Sequence, residues 1–148
     1  MGSLLNAGDR QVLFGRVASL SEASTPLWGR MTVVEMLSHL CQSAEMALGE
    51  LAVRSHHKRA FEFFPLKHLI LYVLPFPKGA STPPELLSGE RRPVTVAQAV
   101  LQQLLGRIGE GPVVGMGPVH PLLGRLSRRE WGTLMYKHVD HHLRQFGV

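Results

Sequence analysis

The sequence predicts an all-α fold, a four-helix bundle with short accessory helices, in a single domain spanning residues 1–148. Three observations carry this prediction. Helix-start patterns recur along the chain, and apolar residues follow most of them at helical spacing. Leucine is abundant, whereas aromatic residues, which favour strands, make up only 7% of the chain.

The helix starts are recognised by the capping-box pattern, in which a Ser or Thr is followed three residues later by Glu or Gln. The hydroxyl oxygen accepts a hydrogen bond from a backbone N–H of the first turn, and the Glu or Gln side chain reaches back to the N–H of the first residue. Segments 32–35, 82–85, 95–98 and 127–130 fit this pattern. A β protein of this length is not expected to contain so many.

The individual elements follow from these starts and from the positions of Gly and Pro. Helices are expected at about 9–19, 32–52, 66–74, 95–108 and 127–146, with only a turn or two after Thr82. Segments 75–81 and 111–124 are rich in Gly and Pro and lack periodicity, so both are predicted to be loops. The second is interpreted as an ordered crossover loop near the helix ends.

The composition is that of an ordinary globular domain, with 45% hydrophobic and 18% charged residues. Cys41 is the single cysteine, so no disulfide can form within the chain, and the cytoplasm is the expected compartment. Cys41 is interpreted as a small buried hydrophobic residue. The first residues do not resemble a signal peptide, and the apolar stretch 69–76 is too short to span a membrane.

The formal net charge of +5 raises the question of nucleic-acid binding. The basic residues occur in scattered groups, such as 57–59, 91–92 and 128–129, and not along one helix. A solvated basic surface is therefore expected, with no specific nucleic-acid partner and no membrane contact. A non-catalytic helical protein that uses this surface for a partner or a nucleic acid remains the alternative function.

The histidines are distributed unevenly, and two of them have the spacing of a metal-ligand pair. His138 and His142 are four residues apart on the last predicted helix, so their side chains share one face. Because Trp131 and Leu134 lie on or beside that face, it is expected to point into the bundle. His39, in the middle of the helix after Thr32, is the best candidate for a third ligand. From the spacing alone, hydrogen-bonded core histidines are an equally good interpretation.

Two segments resemble a known family. His120–Gly147, which contains the His138-x-x-x-His142 pair, looks like the C-terminus of a domain-of-unknown-function branch of the DinB/YfiT-like superfamily, and Trp28–Leu40 looks like its first metal-ligand helix. The resemblance implies a four-helix bundle of DinB/YfiT-like type. It also implies that His39, His138 and His142 bind one divalent metal ion, with nickel or zinc expected. Leu143-Arg144 departs from the Arg-Gly that many relatives carry.

The resemblance further implies a metal-dependent enzyme acting on a small-molecule substrate. Relatives include thiol-dependent transferases, hydrolases and isomerases, so thiol transfer is the first expectation and hydrolysis the second; no catalytic residue is assigned. A homodimer is one expectation for the assembly. Glu35, Gln42 and Gln145 are candidates to hold the outer ring nitrogens of the ligands. His120 and Tyr136 are candidates for the pocket mouth, although His120 fits a structural role equally well.

Overall fold

A computed structural model describes residues 2–54, 63, 65–79, 82–111 and 116–148. In chain order its elements are α1 (Ala7–Ala18), α2 (Val33–Ala47), α3 (Leu66–His68) continued by a π-helix (Leu69–Val73), a 3-10 turn (Pro84–Leu86), α4 (Val94–Glu110), β1 (Met116–His120), β2 (Gly124–Ser127) and α5 (Arg128–Gln145). α2 packs against α4 and α5, and α1 packs against the same two helices. The fully buried leucines between them include Leu13, Leu37, Leu40, Leu101, Leu105 and Leu143.

The prediction of an all-α four-helix bundle is wrong, because the chain combines helices with a β-hairpin. β1 and β2 form a two-stranded antiparallel sheet in which Val119 pairs with Arg125 and His120 with Gly124. Both strands lie in or directly after segment 111–124, which was predicted to be a loop; residues 112–115 of it lie outside the described part. The first strand was not predicted because it contains Gly and Pro, which are typical of loops. β2, by contrast, alternates buried and exposed side chains as strands do.

Two of the four predicted capping boxes are confirmed. Thr32 Oγ1 accepts from the Glu35 N–H at 3.2 Å, and Glu35 Oε2 accepts from the Thr32 N–H at 3.0 Å. Ser127 and Glu130 form the same pair of hydrogen bonds at the start of α5. α5 therefore begins directly at the end of β2, and the hairpin determines where the last helix starts.

The other two predicted boxes are wrong, because neighbouring elements supply the contacts instead. α4 begins at Val94, one residue before Thr95, and its first N–H donates to Glu22 Oε1 at 2.9 Å. Gln98 Nε2 donates to the carbonyl oxygens of Val17 and Leu20, at the end of α1. The segment after Thr82 forms one 3-10 turn without a side-chain cap.

No helix in the described part of the chain is long and apolar enough to cross a bilayer.

The capping assignments can be tested by measuring the free energy of unfolding of alanine variants. Thr32→Ala and Ser127→Ala should each lose about 1 kcal/mol, because each leaves a first-turn N–H without its acceptor. Thr95→Ala is the matched control: Thr95 is exposed and caps nothing, so the change should stay within about 0.5 kcal/mol. A loss at Thr95 equal to that at Thr32 would contradict the assignment.

Candidate metal centre

Three histidines from two packed helices meet in the interior of the domain. His39 lies in the middle of α2, and His138 and His142 lie one turn apart on α5. His39 and His142 are buried, at 4% and 8% exposure, whereas His138 is half-buried. The contact between α2 and α5 therefore brings together the residues that the sequence singled out.

The ring nitrogens are close enough to share one ion. One ligand nitrogen from each of the three histidines lies within 4.8 Å of the other two. The Nε2 atoms of His39 and His138 are 3.1 Å apart. Two nitrogens bound to one tetrahedral ion at about 2.0–2.1 Å stand about 3.3 Å apart, so this spacing suits a shared metal.

The protonation of His39 is fixed by a backbone carbonyl. Its Nδ1 lies 3.0 Å from the carbonyl oxygen of Leu86, in the 3-10 turn. Because a carbonyl oxygen only accepts, Nδ1 carries the proton and donates it. Nε2 of the neutral ring then presents a lone pair towards the other two histidines, which is the form that a metal ion requires.

His142 is fixed in the same way by Gln145. His142 Nδ1 lies 2.8 Å from Gln145 Oε1, and Gln145 Nε2 donates to the Trp28 carbonyl oxygen at 2.8 Å. The second hydrogen bond sets the orientation of the amide, so Oε1 accepts from His142. Gly29 makes room for this contact, since a Cβ there would lie 2.7 Å from Gln145 Nε2. The prediction that Gln145 holds the outer ring nitrogen of one of the three histidines is confirmed.

The other two predicted supporting residues make no hydrogen bond to the three histidines. Glu35 closes the capping box of α2 and pairs with Arg91 at 2.8 Å. Gln42 donates from Nε2 to the Glu85 carbonyl oxygen at 2.8 Å. Both predictions are wrong for the same reason: helical spacing places a residue near a ligand but does not show which partner its side chain will find.

His138 differs from the other two ligands in its surroundings. Phe76 stacks on its ring, with centroids 5.3 Å apart and planes 23° apart. With Nδ1 of His39 protonated, the short contact between the two Nε2 atoms requires His138 to donate its Nε2 proton whenever no metal lies between them. A metal ion would take the place of that proton.

Burial keeps the three imidazoles neutral. Loss of water lowers the pKa of His39, although the hydrogen bond to Leu86 opposes this. Loss of water also lowers the pKa of His138 well below its usual value, and repulsion from His39 and His142 adds to the effect. Loss of water, with repulsion from His39 and His141, lowers the pKa of His142 to about 4, although the hydrogen bond to Gln145 opposes this. At neutral pH all three rings are therefore in the form that binds metals.

The remaining candidates have structural roles. His120 Nδ1 accepts from the N–H groups of Leu122 and Leu123, both at 3.1 Å, and so closes the hairpin turn. Tyr136 lies against Gly2, where a Cβ would meet its ring. Cys41 is buried in the core, and burial raises the pKa of its thiol to about 11.

The sequence did not identify Leu86 or Phe76 as parts of the site. Leu86 acts through its carbonyl oxygen, which every residue has, so no residue type could point to it. Phe76 lies between Pro75 and Pro77 in a segment predicted only to be a loop. An aromatic residue between two prolines was the one available signal.

Comparison with known proteins adds no relative: no protein-family model, curated protein or solved structure matches this chain. The interpretation of the site therefore depends on its own geometry.

The lowered pKa values make the stability of the metal-free protein depend on pH. His142 titrates at about 4 in the folded chain, against an ordinary 6.5. Between these values the unfolded chain binds more protons, so stability is complete above about pH 6.5 and falls as the pH drops towards 4. His142 alone should account for about 2 kcal/mol between about pH 7 and pH 5.

Urea unfolding in the presence of a chelator measures this effect. The loss of unfolding free energy between the two pH values should be smaller in His142→Gln than in the wild type, by about that amount. His141→Gln, on the same helix but only partly buried, serves as the control and should keep most of the pH dependence. An identical pH dependence in wild type and His142→Gln would contradict the assignment.

Proposed function

We propose that the protein binds one divalent metal ion through His39, His138 and His142, and that nickel or zinc is that ion. The observation that carries this proposal is the convergence of three ring nitrogens within 4.8 Å of one another. The fixed protons on His39 Nδ1 and His142 Nδ1 support it, because they leave both Nε2 atoms free to bind. Imidazole is a preferred ligand of both metals.

The donor set also suits a catalytic centre better than a structural one. Structural zinc sites use four protein ligands, whereas catalytic sites use three and leave a position for water or substrate. Three neutral ligands leave the full charge of a bound ion available to polarise a ligand in that position and lower its pKa. Asp140, the acidic residue nearest in sequence, pairs with Arg16 at 2.6 Å and Arg144 at 3.0 Å.

We further propose that the chain is a metal-dependent enzyme of the thiol-transferase or hydrolase type, as the DinB/YfiT-like resemblance implies. One histidine on α2 and a His-x-x-x-His pair on α5 support this proposal. The residues of this chain hold the ligand rings in place through Leu86 and Gln145, and Phe76 covers one face of His138.

The alternative, a non-catalytic protein that binds a partner or nucleic acid through a basic surface, is less well supported. Many of the arginines in the described part are already paired with carboxylates: Arg10, Arg16, Arg91, Arg92, Arg107 and Arg144. Arg128 donates to the carbonyl oxygens of Ile108 and Gly109. The basic group 57–59 lies outside the described residues.

Metal analysis of the purified protein tests the site. We expect one zinc or nickel ion per chain after loading and removal of excess metal, and a large loss of affinity in His39→Ala, His138→Ala and His142→Ala. His141→Ala is the matched control, because it removes a neighbouring imidazole of α5 and should leave metal binding close to that of the wild type. Circular dichroism confirms that each variant is folded. Folded ligand variants that bind metal like the wild type would refute the proposal.

The support that Gln145 gives to His142 has its own test. Gln145→Leu removes the acceptor for His142 Nδ1 and should weaken metal binding by about 10–100-fold, the usual effect of losing such a partner. Gln145→Glu keeps an acceptor oxygen and should bind metal more tightly than Gln145→Leu. Calorimetric titration gives both affinities. If the two variants bound metal equally well, the hydrogen bond to His142 would have no role in holding the ring.

A further inference from the structure

Aromatic rings and a cation line the half-exposed side of the three histidines. We call Trp28, Phe76, Lys78 and His141 the rim. Phe76 stacks on His138 and lies 5.7 Å from the His141 ring, and Trp28 meets His141 edge-on at 5.9 Å. Lys78 Nζ lies 4.3 Å from the centre of the Trp28 ring. The rim thus forms one connected set of contacts that ends on a proposed metal ligand.

The rim is not part of the close-packed core. Trp28, Phe76 and His141 are only half-buried, and Lys78 is exposed. Core aromatic residues such as Trp131 are by contrast almost completely covered. The partly open rings leave flat apolar surface beside His138, which is itself half-exposed. Such a surface favours a planar apolar group, because stacked and edge-on contacts between rings are favourable.

Hydrogen bonds to α5 hold the rim in place, and one of them also orients Gln145 beside His142. The Leu27 N–H donates to the Gln145 carbonyl oxygen at 2.7 Å, and Gln145 Nε2 donates to the Trp28 carbonyl oxygen. On the other side, Lys137 Nζ donates to the carbonyl oxygen of Ile70 in the π-helix and lies 5.4 Å from the Phe76 ring centre. The rim rings are therefore anchored to α5, the helix that carries two of the three ligands.

The charge at the rim is positive. Asp140, the acidic residue beside His141 in sequence, is already paired with Arg16 and Arg144. Within the described residues, Lys78 contacts the Trp28 ring and forms no ion pair with a carboxylate. An incoming negative charge would therefore be attracted to this edge of the site.

From these contacts we propose that the rim binds the substrate of the metal centre, and that this substrate is an anion with a flat aromatic or unsaturated body. Lys78 faces the anionic group, and Trp28 and Phe76 contact the flat body. Calling the bound molecule a substrate rests on the proposed function, because it presupposes the metal centre. The binding surface itself does not require a metal.

Fluorine NMR titrations with three small probes test the two halves of this recognition. The probes are para-trifluoromethylbenzoate, which has both ring and charge, para-trifluoromethylbenzyl alcohol, which has only the ring, and trifluoroacetate, which has only the charge. With metal-free wild-type protein, the benzoate should bind about fivefold or more tightly than either of the others, since one charge contact near the surface is worth about that factor. Equal affinities for benzoate and alcohol would overturn the proposal.

Variants assign the effect to the rim. Lys78→Gln should remove the preference for benzoate over the alcohol, whereas Arg129→Gln, an exposed cation at the other end of α5, should leave it unchanged. Phe76→Leu should weaken both ring-containing probes by roughly three- to tenfold. Phe14→Leu, a half-buried phenylalanine of α1, is the control. Wild-type affinity in both Lys78→Gln and Phe76→Leu would refute the assignment.

Metal analysis of the same protein after loading with zinc or nickel and removal of the excess separates the two proposals. If the protein binds metal but does not prefer benzoate, the rim proposal fails and the metal site stands. If it binds no metal but prefers benzoate through Lys78 and Phe76, the rim is confirmed as a binding surface and the metal site fails.

Discussion

Three neutral imidazoles packed together, two of them buried and one half-buried, are the feature on which the rest of the site depends. Each ring is polar and must find hydrogen-bond partners inside the domain, since an unsatisfied buried polar group costs about 1–3 kcal/mol. No acidic residue joins the three histidines in the cluster of possible ligands within the described part. Protonated rings would therefore repel one another, and the packing of α2 against α5 favours their neutral form.

The helices supply the three histidines, and irregular segments help to orient two of them. His39 donates to the carbonyl oxygen of Leu86 in the 3-10 turn, whereas His142 donates to Gln145 of α5, whose amide is in turn oriented by the carbonyl oxygen of Trp28 before α2. These connections have few regular hydrogen bonds of their own, so their backbone groups are free to accept from side chains. The loops are consequently part of the site, because without them His39 Nδ1 would lose its acceptor and the Gln145 amide would lose the carbonyl oxygen that orients it.

The sequence predicted which three histidines lie close together but not the complete fold, and the reason is the range over which each signal acts. The spacing of His138 and His142 is a local property of one helix, and the two confirmed capping boxes are equally local. The hairpin, the start of α4 and the position of Phe76 depend on contacts between distant segments, such as Gln98 with the end of α1. A capping pattern in the sequence cannot show that its side chain will form hydrogen bonds with another helix instead.

The three proposed ligands are therefore not equivalent. In His39 and His142 the Nδ1 proton is donated in a hydrogen bond, so each Nε2 already has a free lone pair before an ion binds. His138 holds the proton of the short contact to His39 and lies on the half-exposed side, under Phe76. Binding of an ion requires that this one proton leave Nε2, because only an unprotonated nitrogen can act as a ligand. His138 is thus the ligand whose protonation must change, and it is also the one that the rim covers.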